Sequence, residues 1–170
     1  MWAVSRVRAP TARLPTVNDA ERELRAEATI AAPPDKVWAL ITDTSRMPDW
    51  SPELVKMLPL KGGGMRKGQW YLGLNRRKAV LWPTRNVVGV LEPGRSLAWD
   101  TKTSGARWIW EVSASGEGTR VVHRRPVPEK LTLVSSLFAR FLLGGIEGHA
   151  DELEAGMART LDRLKAVAEA

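Results

Sequence analysis

The first clear pattern along the chain is an alternation in which Leu24, Ala26, Ala28 and Ile30 are separated by Arg25, Glu27 and Thr29. A two-residue period with one apolar side predicts a half-buried strand. Residues 1–22 show no sustained period and carry prolines at 10 and 15, which predicts a flexible extension ahead of one domain over 23–170. Ala31-Ala32-Pro33-Pro34 ends the strand, and Pro34 suits a first helical turn because the amides there are unpaired anyway. Val37, Leu40 and Ile41 then form a helical stripe with Trp38 beside it, in a short helix ending near Asp43. In SRMPDWSP, Pro48 and Pro52 leave space for one further turn of helix.

The middle of the chain reads as strand after strand, over 53–60, 68–76, 80–91, 95–103, 107–115 and 119–126. Short turns divide them, among them Gly62-Gly63-Gly64, Glu92-Pro93-Gly94, Gly105 and Gly116-Glu117-Gly118. Short connections predict an antiparallel meander. Parity then sorts the side chains. Trp70, Leu72 and Leu74 share one side, Trp82, Thr84, Asn86 and Val88 another, and Leu97, Trp99 and Thr101 a third. On the last two strands Trp108, Trp110 and Val112 fall together, as do Val121, His123 and Arg125. Asp100 and Glu111 fall opposite the tryptophans, which predicts exterior ion pairs. At the C-terminus Ile146, Leu153, Met157, Leu161, Leu164 and Ala168 recur at helical spacings, predicting a long amphipathic helix. The segment 131–143 is apolar on more than one side, and Gly144-Gly145 separates it from that helix.

These elements predict an α+β domain. An antiparallel sheet of about seven strands needs a cover for its apolar side, and one long helix follows it. A curved sheet wrapped round a single helix leaves a hollow between them, so Trp70, Trp99, Trp108 and Trp110 are expected to line a cavity. Composition narrows the chemistry. The absence of cysteine removes disulfides and thiolate metal sites, and two distant histidines, His123 and His149, offer no histidine-rich metal site. Neither a metal nor another cofactor is expected. No secretory signal or run of about 20 apolar residues is present, which predicts a cytoplasmic location.

The net charge of +7 is uneven: residues 54–91 hold eight Lys or Arg and no acid. A solvated strand face is the first reading of that stretch, and an anionic surface, RNA or lipid, the second. No DNA-binding motif is present, and the sequence leaves the oligomeric state open.

The segments "ATIAAPPDKVWALITDTSRMPDWSPELV" (28–55), "LEPGRSLAWDT" (91–101), "GTRVVHRR" (118–125) and "GMARTLDRLKAVAE" (156–169) follow one another in an order that resembles the START-like SRPBCC superfamily, which includes the polyketide cyclase/dehydrase and birch-allergen-like proteins. The likeness runs over residues 24–170. It implies a helix-grip fold with two short helices after the first strand and an apolar pocket between sheet and C-terminal helix. Such pockets serve lipid transfer, hormone binding or polyketide ring closure, so the fold does not choose the function.

The first expectation is therefore binding of a small hydrophobic or aromatic molecule, lipid or polyketide-like. Its candidate contacts are Trp50, Trp70, Leu72, Trp82, Val88, Trp99, Thr101, Trp108, Trp110 and His123, with Phe138, Phe141 and Leu142 as a lid or apolar surface. The alternative is a polyketide cyclase, aromatase or dehydratase using His123, Arg125 or Asn86 as polar groups in the same pocket. A third reading is an interaction protein that uses its basic or apolar surface. Whether any catalysis occurs stays open.

Overall fold

The computed structural model describes residues 23–116, 118–127 and 149–170. Among these residues seven strands form one sheet in the order β1-β7-β6-β5-β4-β3-β2, and every neighbouring pair is antiparallel. They are β1 (Leu24–Ile30), β2 (Leu54–Pro59), β3 (Trp70–Arg77), β4 (Val80–Glu92), β5 (Ser96–Thr101), β6 (Ala106–Ser115) and β7 (Gly118–Arg125). Two short helices, α1 (Pro34–Thr42) and α2 (Met47–Trp50), follow β1, and α3 (His149–Glu169) closes the chain. This is the helix-grip α+β architecture. The expected extension over 1–22, the segment 131–143 and its Phe138, Phe141 and Leu142 lie outside the described residues.

Helix α1 begins where the sequence places it. Pro33 is extended, Pro34 enters the first turn, and Val37, Leu40 and Ile41 turn inward. The helix stops at Asp43, whose Oδ1 accepts hydrogen bonds from the Ser45 amide and hydroxyl. Met47 and Trp50 of α2 are buried beside it.

Helix α3 runs along the edge strand β1 and satisfies backbone groups that β1 cannot pair within the sheet. Glu154 accepts from the Arg25 amide, Lys165 donates to the Thr29 carbonyl, and Glu169 accepts from the Ala31 amide. Covering an edge in this way removes a template for pairing with another chain. The buried side of α3 carries Met157, Leu161, Leu164 and Ala168 of the predicted stripe, Leu153 is half-buried, and Ile146 lies outside the described residues. Leu161, Leu164 and Ala168 join Ile30, Val37, Ile41, Leu97, Val112 and Val121 in one core.

Where β1 ends, the chain passes tightly over the start of β7. The Thr119 hydroxyl donates to the Ala32 carbonyl at 2.6 Å, and a Cβ on Gly118 would run into the Ile30 carbonyl oxygen. Backbone atoms cannot rotate away as a side chain would, so Gly118→Ala must push β1 and β7 apart. We expect it to lower the free energy of unfolding by about 2 kcal/mol, measured by denaturant titration. An unchanged midpoint would mean that this crossing is not tight.

One strand departs from the expected facing. Tyr71 pairs with Asn86 and Gly73 with Thr84, both on the inner side of β4, so Tyr71, Gly73 and Asn75 point inward. Trp70, Leu72 and Leu74 therefore lie on the outer face, and Trp70 is 41% exposed. The expectation that Trp70 and Leu72 line the hollow is corrected: β3 wears its more apolar side outward. A second irregularity lies in β4. A register shift between Val88 and Val90 turns Leu91 back to the inner side, opposite Leu97.

Candidate functional site

Register across the sheet sets three inner rows side by side. The first runs Leu91, Leu97, Trp110, His123, Ala26, the second contains Val88, Trp99 and Trp108, and the third runs Tyr71, Asn86, Thr101, Ala106. The character of the surface changes from row to row. Beyond the first lies the aliphatic core of Val112 and Val121. Beyond the third lie Thr84 and Asn75, with Trp82 opposite Asn75.

The aromatic part is tightly joined. His123 stacks on Trp110 with centroids 3.8 Å apart and planes 13° from parallel, and Trp50 meets the same indole edge-on at 5.3 Å. Tyr71 stands edge-on to Trp99 at 5.1 Å. The Arg125 guanidinium lies over Trp108, 5.4 Å from the ring centroid, a cation–π contact. Trp38 and Trp108 pack on this core from its margin.

Polar groups within the aromatic part are not all satisfied. Trp50 Nε1, His123 Nδ1 and Arg125 Nε are buried and have no hydrogen-bond partner among the described residues. Burying such atoms unpaired costs about 1–3 kcal/mol each, so their grouping around Trp108 and Trp110 needs a reason. Burial drives the His123 pKa down from 6.5 to about 3, so its ring is neutral at physiological pH. Burial also lowers the Arg125 pKa, and a guanidinium keeps its charge inside a protein.

The third row and its neighbours behave differently, because their polar atoms answer one another. Thr101 donates to Asn86 Oδ1 at 2.9 Å, Asn86 Nδ2 donates to Thr84 Oγ1 at 3.0 Å, and Asn75 Nδ2 donates to the same hydroxyl at 3.1 Å. Gly73 makes that closure possible, since a Cβ there would lie 2.6 Å from Thr84 Oγ1 and 3.0 Å from Asn86 Nδ2. Asn86 is thus a wall residue with its amide engaged. The alternation on β5–β7 correctly sets Trp99, Thr101, Trp108, Trp110, His123 and Arg125 on one face, with Val88 and Trp82 beside them on β4. Alternation does not point to Tyr71, Gly73 and Asn75, because β3 turns its less apolar side inward.

The carboxylates stand apart from this face. Asp100 accepts two hydrogen bonds from Arg107, whose guanidinium holds the Asp100 carboxyl below the usual carboxylate range. Glu111 pairs with Arg124 on the outer side. Both are the exterior ion pairs that parity predicts. Among the described residues no three His, Cys, Asp or Glu side chains gather as metal ligands. No described helix is long and apolar enough to cross a membrane. An open depression of about 210 Å³ between α1 and α3 is flanked by Lys36, Asp43 and Arg46. It belongs to the helical layer and has none of the aromatic character of the inner rows.

Known structures share this arrangement. A Polyketide_cyc-like protein from Corynebacterium glutamicum is 25% identical, with a TM-score of 0.61 over 85% of this chain and 90% of that one. A protein from Thermus thermophilus is 17% identical, with a TM-score of 0.58 over 85% of this chain and 94% of its own. The di-domain ARO/CYC StfQ from the steffimycin biosynthetic pathway superposes with a TM-score of 0.66 at 16% identity, over 86% of this chain and 50% of StfQ. The last two likenesses bear on the fold alone. No curated protein is similar enough to the chain to count as a relative. The family model described as polyketide cyclase / dehydrase and lipid transport matches residues 21–169, the whole sheet and its helices. The chain is a member of that family.

Proposed function

We propose that the protein binds a small hydrophobic molecule, flat and aromatic or polyketide-like, against the inner rows of the sheet. The observation that carries this reading is the set of unpaired polar atoms on Trp50, His123 and Arg125, held among indole rings. Indoles offer broad apolar contact to a planar ligand. Trp50 Nε1–H, a neutral imidazole and a guanidinium offer that ligand's oxygen atoms the hydrogen bonds that the protein itself leaves unmade.

Ring closure or dehydration draws on the same groups and is supported by the family's description. Yet His123, with a pKa near 3, has little capacity to accept a proton at neutral pH, and Asn86 is already bonded on both sides. These two facts favour binding over proton transfer.

The test is a thermal-shift and native-mass screen of fatty acids, sterols and hydroxylated polycyclic aromatics. Hydroxylated aromatics are expected to bind, and Arg125→Met to weaken those with an acidic hydroxyl about tenfold while sparing neutral analogues. A panel without a single binder would count against the reading. Conversion of a poly-ketone thioester at a rate lost in His123→Phe would move the assignment to the enzyme.

A further inference from the structure

The outward apolar side of β3 is unexplained by the core. Across the outer face of β2, β3 and β4 the register again makes rows. Leu60 donates its amide to the Trp70 carbonyl, and Trp70 faces Val87. Leu58, Leu72 and Arg85 form the next row, Lys56, Leu74 and Pro83 the one after, and Arg76 faces Leu81. Leu58, Leu60, Trp70, Leu74 and Leu81 are 37–58% exposed, so five large apolar side chains on one face meet water. Contiguous exposure of this kind marks a binding surface more often than scattered single residues do.

Among the apolar rows of this face and in the turns beside them the charges are all of one sign, and Glu92, at the far end of β4, lies beyond the last of those rows. Lys56, Arg76 and Arg85 lie within the rows, Lys61, Lys67 and Lys78 in the adjoining turns, and no acid occurs between residues 54 and 91. None of these six cations forms an ion pair with a carboxylate among the described residues. The first acid met across the face is Asp100 on β5, already held by Arg107 and Lys102.

Three kinds of occupant can be weighed. A second copy would set like charges against each other. Pairing along the β2 edge is also obstructed, by Pro59, which has no amide, and by the register shift between Leu54 and Lys56. Nucleic-acid phosphates would match the cations but leave the leucines in water. An anionic bilayer matches both, because its phosphates attract Lys and Arg while its headgroup–acyl boundary takes up tryptophan and leucine.

We propose that the outer face of β2–β4 docks on an anionic lipid surface. Trp70, Leu58 and Leu60 enter the boundary region, and Lys56, Arg76 and Arg85 sit against lipid phosphates. Because the inner rows lie on the opposite side of the sheet, docking does not depend on what those rows bind.

The test is co-sedimentation of the full chain with phosphatidylcholine vesicles, with and without phosphatidylglycerol, at low and high salt. Binding is expected only with phosphatidylglycerol and should fall as salt rises. Lys56→Glu with Arg85→Glu should weaken it at least about thirtyfold, from a contribution of roughly fivefold per cation. Trp70→Ser should weaken it about tenfold. Arg120→Gln, on the outer side of β7, should leave it unchanged. All four positions are exposed, and an unaltered melting curve confirms that the variants fold. Equal sedimentation with phosphatidylcholine alone, no sedimentation at all, or indifference to the variants would overturn the proposal. So would a dimer that Trp70→Ser converts to monomer, or an RNA that displaces the vesicles and loses affinity in the same variants.

Discussion

Trp110→Ala is expected to lower the free energy of unfolding by about 3–5 kcal/mol, a large part of the roughly 5–15 kcal/mol that holds a domain folded. The indole is 4% exposed and lies where β5, β7 and α2 meet its own strand. His123 of the next strand stacks on one side, Trp50 of α2 touches it edge-on, and Leu97 lies opposite on β5. An alanine removes the transfer free energy of the ring and leaves a hole lined by another indole and an imidazole, neither of which can collapse far into it. Trp110→Phe should recover more than half of the loss, because most of the volume returns. Added indole should raise the midpoint of the alanine variant by more than that of the wild type, since a cavity of the right shape binds the group that was removed. Denaturant titration measures both. A loss below about 1 kcal/mol would show that the ring is not part of the packed core.

Much of this arrangement was legible in the alternation of side chains. On β1, β5, β6 and β7 the inner positions are also the more apolar ones, so parity alone set Leu97, Trp99, Trp108, Trp110 and Val121 on one face. The α3 stripe of Met157, Leu161 and Leu164 followed from helical spacing for the same reason. β3 shows where that logic ends. Its inner side carries Tyr71, Gly73 and Asn75 because it faces a polar wall that needs a small residue and an amide. Its outer side carries Trp70, Leu72 and Leu74. Alternation gives two faces but not which of them is buried, and apolarity decides wrongly where the outer face is itself a contact surface. The rows are also long-range facts. Trp50 arrives from a short helix, and its meeting with Trp110 depends on how α2 crosses the sheet, which no local pattern records.

The last consequence concerns acid. His123 titrates at about 3 in the folded protein and near 6.5 when unfolded, because burial among indoles penalises its charged form. The unfolded chain therefore binds a proton in a range where the native state does not. Stability from this group is complete above pH 6.5, falls as the pH drops below it, and is exhausted at about pH 3. The slope is about 1.4 kcal/mol per pH unit, so between about pH 6.5 and 5 the wild type should lose about 2 kcal/mol to His123 alone. The lowered carboxylates add little in that window. Asp100, held low by Arg107, Glu27, held low by Arg25 and Arg120, and Asp43, held low by Ser45, all lose their contributions at lower pH. Glu53, raised by burial, acts in the opposite sense and is common to wild type and variant. His123→Phe keeps the stacking on Trp110 and removes the proton, so the wild-type minus variant difference isolates the imidazole. That difference should shrink steadily from about pH 6.5 to 5, and the imidazole C–H resonances should stay at their neutral positions throughout. Resonances that titrate near pH 6.5 in the folded protein would mean that water reaches the ring. The unpaired nitrogen would then have its partner in solvent, and the main support for a bound oxygen-bearing ligand would be gone.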